Sequence, residues 1–399
     1  MRSWRSETDA AKYIEHGIVK RSLNRRSRRV RVGIVGYGPV ARAHALSWRS
    51  LASYYPGEGW TAEIVGVATA RPATALAAAS ELGCSIWTTD YRQLAQESRV
   101  DLIDCCTPDD LHAPVCIAAL EAGKHVYCEK PMAMSVEEAG RMTDAALRAR
   151  RVHAMAFPVR AAPGVQRARQ AIEDGILGTP LSFRTLYLHS GYVDPKRPWS
   201  WRLDRQRTGG GALYDLGVHN ADLVRYLLGE IVSVCGDTAT YFAERREASG
   251  STEPHHVSVD DVAIGMWKLE CGAIGTFEFS RIATGLTEGP ILEVHGTDGA
   301  LRLNWRDPSS VQILRRDVDE GFVDVHIAER WPAPPYTAIQ HEVVRGIAEE
   351  RDASPNFTDG YRAQRVLAAV QHSARSGGWQ VVGAGDHGAG HGARREAER

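Results

Sequence analysis

The chain has 399 residues, 24% of them charged, with a formal net charge of -1. That balance excludes nucleic acid or an anionic membrane as the main partner, no apolar run approaches the roughly 20 residues that span a bilayer, and the length allows two or three domains. Seven cysteines make an odd count, and several lie in apolar runs (Cys105, Cys106, Cys128), which suits reduced thiols and a cytoplasmic protein better than a disulfide framework.

Residues 1–29 are rich in arginine, ending in "KRSLNRRSRR", with no apolar segment behind the charges. A solvated, flexible extension is expected there; a secretory signal is not, and Glu7, Asp9 and Glu15 count against a transit peptide. A β-branched run, Val30 to Val35, then turns through Gly36, Tyr37, Gly38, Pro39, Val40 and Ala41, which is G-x-G-x-x-A between a strand and a helix. Gly36 permits the tight turn, Gly38 lets the backbone approach a pyrophosphate, and Ala41 allows close helix–strand packing. These turn residues are the first cofactor candidates.

Strand and helix signals alternate from there. Ala62–Ala68 is a second strand and Thr74–Leu82 an alanine-rich helix; a short strand and a helix follow over 86–95. Val100–Pro108 holds a buried strand before a helix at Ala113–Ala122. "KHVYCEKP" holds the fifth strand, Ser135–Arg150 a helix opened by a Ser135/Glu138 capping box, and Arg151–Phe157 the sixth strand. Such alternation predicts a parallel sheet covered on both faces over residues 30–156, with ligands at the C-terminal strand ends. Lys130 ends the fifth strand on that edge, held extended by Pro131. The acidic residue that normally binds the ribose hydroxyls is replaced by Thr69 and Ala70, with Arg71 just beyond, which favours the 2′-phosphate of NADP(H) over NAD(H).

Beyond Phe157 the alternation stops and strands dominate to about residue 382, with helices returning at Tyr336–Glu350 and Thr358–Ser376. The loop "PKRPWSWRLDRQRT" offers Trp199, Trp201 and Arg202 either as sugar contacts or as packing anchors. In "TGGGALYDLGVHNADLVRYLLG" a continuous helix would place Asp215, His219 and Asp222 on one face, a carboxylate one turn from an imidazole as a general base requires. The glycine-rich stretch 383–399 is expected to be disordered, and its histidines do not form a metal site.

The dinucleotide turn, "TPDDLH", "GKHVYCEKPMA" and "GGGALYDLGVH", in that order, resemble the glucose–fructose oxidoreductase/inositol dehydrogenase (Gfo/Idh/MocA) family over residues 30 to 382. "SWR" and the end of the sixth strand are most similar to the sugar and levoglucosan dehydrogenase branch. The resemblance implies an N-terminal Rossmann domain and, over 157–382, a C-terminal α/β domain with a large open, mostly antiparallel sheet. That sheet often forms the interface of a homodimer or homotetramer.

By motif, Lys130 takes the position of the catalytic lysine, and Asp215 and His219 that of the D-x-x-x-H pair. Thr107, Pro108 and His112 match the cofactor loop, and Glu129 the cofactor-side glutamate. One departure is Phe157-Pro-Val-Arg160, where many members have F-N-x-R; Arg160 remains as a substrate contact. The implied reaction is NAD(P)-dependent oxidation of a secondary hydroxyl of a sugar, cyclitol or glycoside. Its alternatives are an NADPH-dependent keto-sugar reductase and a non-catalytic dinucleotide-binding regulator, and a sensor would have no use for the Lys130, Asp215 and His219 set.

Overall fold

The run of β-branched residues that opens the first unit forms β1 (Arg28–Val35), beginning two residues before the expected start. In the computed structural model, which describes residues 28–248, 253–305, 307–326 and 333–383, β1 lies at the middle of a six-stranded parallel sheet. Its partners are β2 (Trp60–Ala68), β3 (Ile86–Thr88), β4 (Leu102–Cys105), β5 (His125–Cys128) and β6 (His153–Met155), in the order β3-β2-β1-β4-β5-β6. The crossovers are α1 (Pro39–Tyr54), α2 (Pro72–Leu82), α3 (Tyr91–Gln96), α4 (His112–Glu121) and α5 (Val136–Ala149). Every residue of β4 is buried, as a strand covered by helices on both faces requires. Chain order reverses between β1 and β4, so a crevice opens at their C-terminal ends. Only half of the expected capping box forms at α5: Ser135 accepts from the Glu138 N–H, whereas the Glu138 carboxylate takes the N–H of Met134.

After α6 (Pro163–Glu173) the chain builds a second, nine-stranded sheet. Its strands are β7 (Pro180–His189), β8 (Ile231–Ala239), β11 (Val262–Leu269), β12 (Ile274–Ser280), β13 (Thr287–Gly296), β14 (Gly299–Asn304), β15 (Ser310–Arg315), β16 (Val323–His326) and β17 (Gln380–Val381). A separate ladder pairs β9 (Glu244–Arg245) with β10 (His255–His256). The large sheet runs β16-β15-β14-β13-β7-β12-β11-β8-β17 and is antiparallel except for the β7–β12 pair. Period-two alternation puts Trp267, Phe277 and Phe279 on its covered face, with Trp267 stacked on Phe277 at 4.8 Å. Ile264, Met266 and Ile274 are exposed.

The glycine-rich segment gives α7 (Arg205–Thr208) and then two helices where one was expected. The helical run breaks at Leu216 into α8 (Ala212–Asp215) and α9 (Gly217–Leu228). Gly229 then ends α9 with φ 99°. Of the last two helices, one leaves the second sheet. α10 (Pro335–Glu349) returns to α1, where Ile339, Val343 and Val344 join the cluster of Val30, Ile34 and Trp48. α11 (Phe357–Ser376) bridges α5, α9 and β8. A division at Phe157 therefore describes the sheets but not the helices. Residues 1–27 and 384–399, expected as an extension and a tail, lie outside the described residues. Among those described, no helix is long and apolar enough to cross a membrane.

Candidate active site

The site begins at the turn after β1. Gly36 has φ 85°, and a Cβ there would lie 2.6 Å from the Cys106 carbonyl oxygen, so glycine is required. Gly38 caps α1 without any side-chain hydrogen bond, and a Cβ built on it would meet nothing within 4 Å. The first turn of this 16-residue helix carries no acidic side chain and has Pro39 near its start, which leaves N–H groups and the positive end of the dipole facing open space. A dinucleotide pyrophosphate fits that cradle. Ala41 is fully buried against the sheet, as the third position of the motif demands.

A cleft of about 280 Å³ extends from this turn to the second sheet. Its first wall carries Gly36 to Val40, Thr107, Pro108, Asp109, Glu129 and Lys130; the facing wall carries Trp201, Arg202, Tyr214, Asp215 and Arg281. The strand-end loops of one sheet and the glycine-rich helix start of the other thus close on a single space. Gly211 is essential to that facing wall. A Cβ there would lie 1.9 Å from the Asp260 carbonyl oxygen, while the Asp260 carboxylate accepts the N–H groups of Gly211 and Leu213 at 2.8 Å each.

Lys130 donates from Nζ to Asp215 Oδ1 at 2.7 Å and to the Asp215 carbonyl at 3.1 Å, while Arg281 Nη2 donates to Asp215 Oδ2 at 3.2 Å. Burial works against an ionised Asp215, but the two cations hold its carboxyl well below the usual range. Burial also works against a charged Lys130; Asp215 and Glu129 outweigh it and raise the ammonium above its ordinary value. His219 sits one turn on, its ring tilted 42° against Tyr187 at 6.0 Å, and its buried Nδ1 has no hydrogen-bond partner among the described residues. Burial first, and the Lys130 ammonium second, push the imidazole down to about 3. The arrangement therefore pairs a fixed cation with a neutral imidazole that still has a nitrogen to offer. The expected carboxylate–imidazole bond is not formed: Asp215 Oδ1 accepts from Lys130 and Oδ2 from Arg281, while His219 Nδ1 has no partner among the described residues.

Behind Lys130 lies a buried brace. His44 Nδ1 meets Asp104 at 3.0 Å and Nε2 meets Glu129 at 3.1 Å; Asp104 also takes the Trp48 indole N–H at 2.7 Å. Burial opposes a charged His44, but its acidic neighbours, Cys106 and Asp104 first, raise it well above its usual value. The Cys106 thiol is itself pushed up by burial and stays neutral, so the carboxylates carry the effect. Glu129 uses Oε1 to accept from Tyr336 at 3.2 Å and Oε2 to accept from the Lys130 N–H at 2.9 Å. Burial raises Glu129, yet His44 keeps it below the ordinary carboxylate value.

His112 is a second brace, with Nδ1 2.8 Å from the Pro131 carbonyl and Nε2 3.1 Å from the Thr107 carbonyl, tying the loops after β4 and β5 together. Among the described residues, two groupings have metal-ligating chemistry, Cys105–His112–Cys128 and His44–Asp104–Cys106, and both use histidines whose nitrogens are already engaged in these contacts.

Several expected site residues stand elsewhere. Arg160 does not reach the cleft: it is buried, with two bonds to Asp222 at 2.8 and 2.5 Å and an ion pair to Asp359 at 3.0 Å. Asp222 is thereby committed to Arg160 and makes no bond to Asp215 or His219. Trp199 is a packing anchor with Tyr192, Leu203 and Val259, its ring tilted 31° to that of His255 at 4.9 Å. Thr69 bonds Thr74 at 2.7 Å beside the exposed Arg71, both beyond the cleft lining at the end of β2. His219 is not among the residues that line the cleft.

Asp109 and Arg281 escape the sequence reading. Asp109 had a signal, its place two residues after the β4-end Thr107, whereas Arg281 follows an ordinary strand. Burial pushes the Asp109 carboxyl up to about 7, although His112 and Lys130 pull it down. Ionising it in the fold is therefore harder than in the unfolded chain. The penalty is absent at acid pH, grows above the usual carboxylate range and is complete above about 7. Asp109→Asn is expected to gain stability over the parent at pH 8 relative to pH 5 in urea unfolding; an equal difference at both would contradict this.

Comparison with known proteins identifies the family of both halves of the chain. Residues 30–157 match the oxidoreductase family with an NAD-binding Rossmann fold, and residues 165–302 match the GFO/IDH/MocA C-terminal domain. The chain is 34% identical over 384 residues to levoglucosan dehydrogenase of Pseudarthrobacter phenanthrenivorans, covering 88% of this chain and 97% of that protein. It is 32% identical to 1,5-anhydro-D-fructose reductase of Ensifer adhaerens (87% and 97%) and 28% identical to inositol 2-dehydrogenase of Rhizobium meliloti (86% and 96%). A solved levoglucosan dehydrogenase in complex with NADH and levoglucosan superposes with a TM-score of 0.84 at 32% identity, covering 90% of this chain and all of that one.

Proposed function

The chain belongs to the GFO/IDH/MocA oxidoreductase family, an NAD-binding family whose relatives here act on sugars and cyclitols, and from that premise we propose that it oxidises a secondary hydroxyl of a sugar, cyclitol or glycoside. The observation that carries this reading is the Lys130–Asp215 pair, which joins the dinucleotide cradle to the second sheet beside an unpartnered imidazole nitrogen. Bound in the cradle, the nicotinamide supplies the acceptor for the two electrons and one proton that leave carbon together. As proton acceptor we assign His219, neutral over the working range and with an unpartnered Nδ1; because it lies outside the cleft lining, the substrate hydroxyl has to reach past Asp215 to meet it. Lys130 donates to the reacting oxygen and stabilises the negative charge that develops there. Asp215 holds the Lys130 ammonium in place and keeps it charged.

For the cofactor we propose NADP(H). An exposed guanidinium at Arg71 and a hydroxyl at Thr69, with no carboxylate between them, support this, although the superposed levoglucosan dehydrogenase carries NADH. We propose homo-oligomerisation through the outer face of the large sheet, supported by exposed Ile264, Met266 and Ile274; a monomer mass by sedimentation would refute it.

The deciding experiment is a reduction screen of NADP⁺ and NAD⁺ over levoglucosan, inositols, aldoses and simple glycosides. Keto-sugars with NADPH and NADH belong in the same screen, because the anhydrofructose reductase relative supports turnover in that direction too. The expected outcome is turnover of a polyol with a lower KM for NADP⁺, and Arg71→Ala raising that KM about tenfold with little change for NAD⁺. A wild-type preference for NAD⁺ would overturn the cofactor assignment, and inertness on every substrate would overturn the function.

A further inference from the structure

Arg281 follows β12 directly and is rigidly placed. Its backbone N–H donates to the Asp261 carbonyl at 3.0 Å, and its carbonyl accepts the Tyr192 N–H at 2.9 Å. The side chain is 2% exposed, and the guanidinium lies over the Tyr192 ring at 4.9 Å. It lines the cleft that also holds Lys130 and Asp215. Only Nη2 is satisfied, by Asp215 Oδ2; Nε and Nη1 are buried and have no partner among the described residues. A buried donor left unpaired costs about 1–3 kcal/mol, more when charged. Two such nitrogens, on a side chain that lines the cleft, leave hydrogen-bonding capacity that a ligand oxygen can fill.

The geometry also limits which oxygens. A guanidinium has two forks, Nε with Nη2 and Nη1 with Nη2, and each Nη carries two hydrogens. Asp215 takes one hydrogen of Nη2, so one complete fork stays open. The same Asp215 carboxylate holds Lys130 on its other oxygen at 2.7 Å, so ammonium and guanidinium flank one carboxylate. A vicinal diol has two oxygens to set against two cations that share one carboxylate. A carboxylate could fill that fork as well. Against it, Lys130 and Arg281 already share the ionised Asp215, and Glu129, held below the ordinary carboxylate value, lines the same cleft, so acidic groups already face the two cations.

We propose that Arg281 is a substrate-recognition residue that donates to the hydroxyl on the carbon next to the one oxidised, which makes the enzyme selective for neutral vicinal diols. This rests on the function proposed above and adds a residue and a requirement to it.

The test is a cycle of enzyme and substrate changes. The best neutral polyol from the screen is compared with its deoxy analogue lacking the hydroxyl beside the oxidised carbon, using wild type, Arg281→Met and Arg281→Lys. Wild type is expected to lose roughly 10- to 100-fold in kcat/KM on deoxygenation, the worth of a hydrogen bond to a charged group. In both variants the two substrates should differ little, with nucleotide binding retained by fluorescence titration. Arg281→Lys keeps a cation for Asp215 without the fork, so it serves where the methionine variant does not fold. Equal deoxygenation losses in wild type and variants would overturn the proposal, as would a wild-type preference for the matching sugar acid. Wild-type inertness on all polyols would defeat the underlying function as well, which separates the two failures.

Discussion

Exchanging Lys130 for methionine is expected to lower kcat by about 10²- to 10⁴-fold while nucleotide binding persists, the range a positioned proton-transfer or charge-stabilising group supplies. The cradle at Gly36 and Gly38 is made of backbone and does not depend on the ammonium, so fluorescence titration of the reduced cofactor should be little changed. Methionine keeps the apolar stem and removes the donor to Asp215 Oδ1. Asp215 then keeps Arg281 alone, and His219 loses the second of the two influences that hold it near 3, with burial remaining. Its imidazole value should rise, and an acid limb absent from the wild-type kcat profile should appear in the residual activity. Near-wild-type turnover would remove Lys130 from the chemistry. A loss of nucleotide binding as large as the loss of turnover would make it a cofactor residue instead.

The part of the site that was legible in the sequence is the part built from short-range backbone rules. A glycine turn between a strand and a helix, and a lysine ending a buried strand, need only local geometry and the rule that ligands sit at C-terminal strand ends. Both fall where expected, at the cleft between the sheets. The first sheet was readable for the same reason, since buried parallel strands are continuous apolar runs. What was not legible depends on which distant groups meet. The single helix expected over Asp215 and His219 is interrupted at Leu216, and its start is fixed by Asp260, 49 residues beyond Gly211, whose carboxylate captures the N–H groups of Gly211 and Leu213. No spacing within the segment announces that partner. The return of α10 to α1 is equally silent, because an amphipathic helix specifies an apolar face and not what covers it. The brace of Asp104, His44 and Glu129 draws on three separate elements. Arg281 looks like any charged residue at a strand end until its burial is known.

Arg160 shows how such a contact reverses a functional reading, and replacing it by methionine is expected to cost about 3–5 kcal/mol of stability with little change in KM. In sequence it is an arginine just past the last strand of the dinucleotide unit, a natural substrate contact. In the fold its side chain is 7% exposed and faces Asp222, 2% exposed, with Asp359 at 3.0 Å. Burial raises Asp222 even with the guanidinium present, so losing Arg160 leaves two carboxylates, one deeply buried, without their main counter-ion. The cost should therefore depend on pH in a definite direction. At pH 5 Asp222 in the variant escapes part of the penalty by staying protonated; at pH 8 it must ionise or the fold must open, so destabilisation grows as pH rises. Adding Asp222→Asn removes the stranded charge and should recover part of the loss at pH 8 and less at pH 5. Urea unfolding of the three proteins at both values, with steady-state kinetics on the folded fraction, separates the readings. A tenfold rise in KM without loss of stability would return Arg160 to the substrate, whereas loss of stability with KM intact makes it the clamp that locks α9 to the start of α11 behind the catalytic wall.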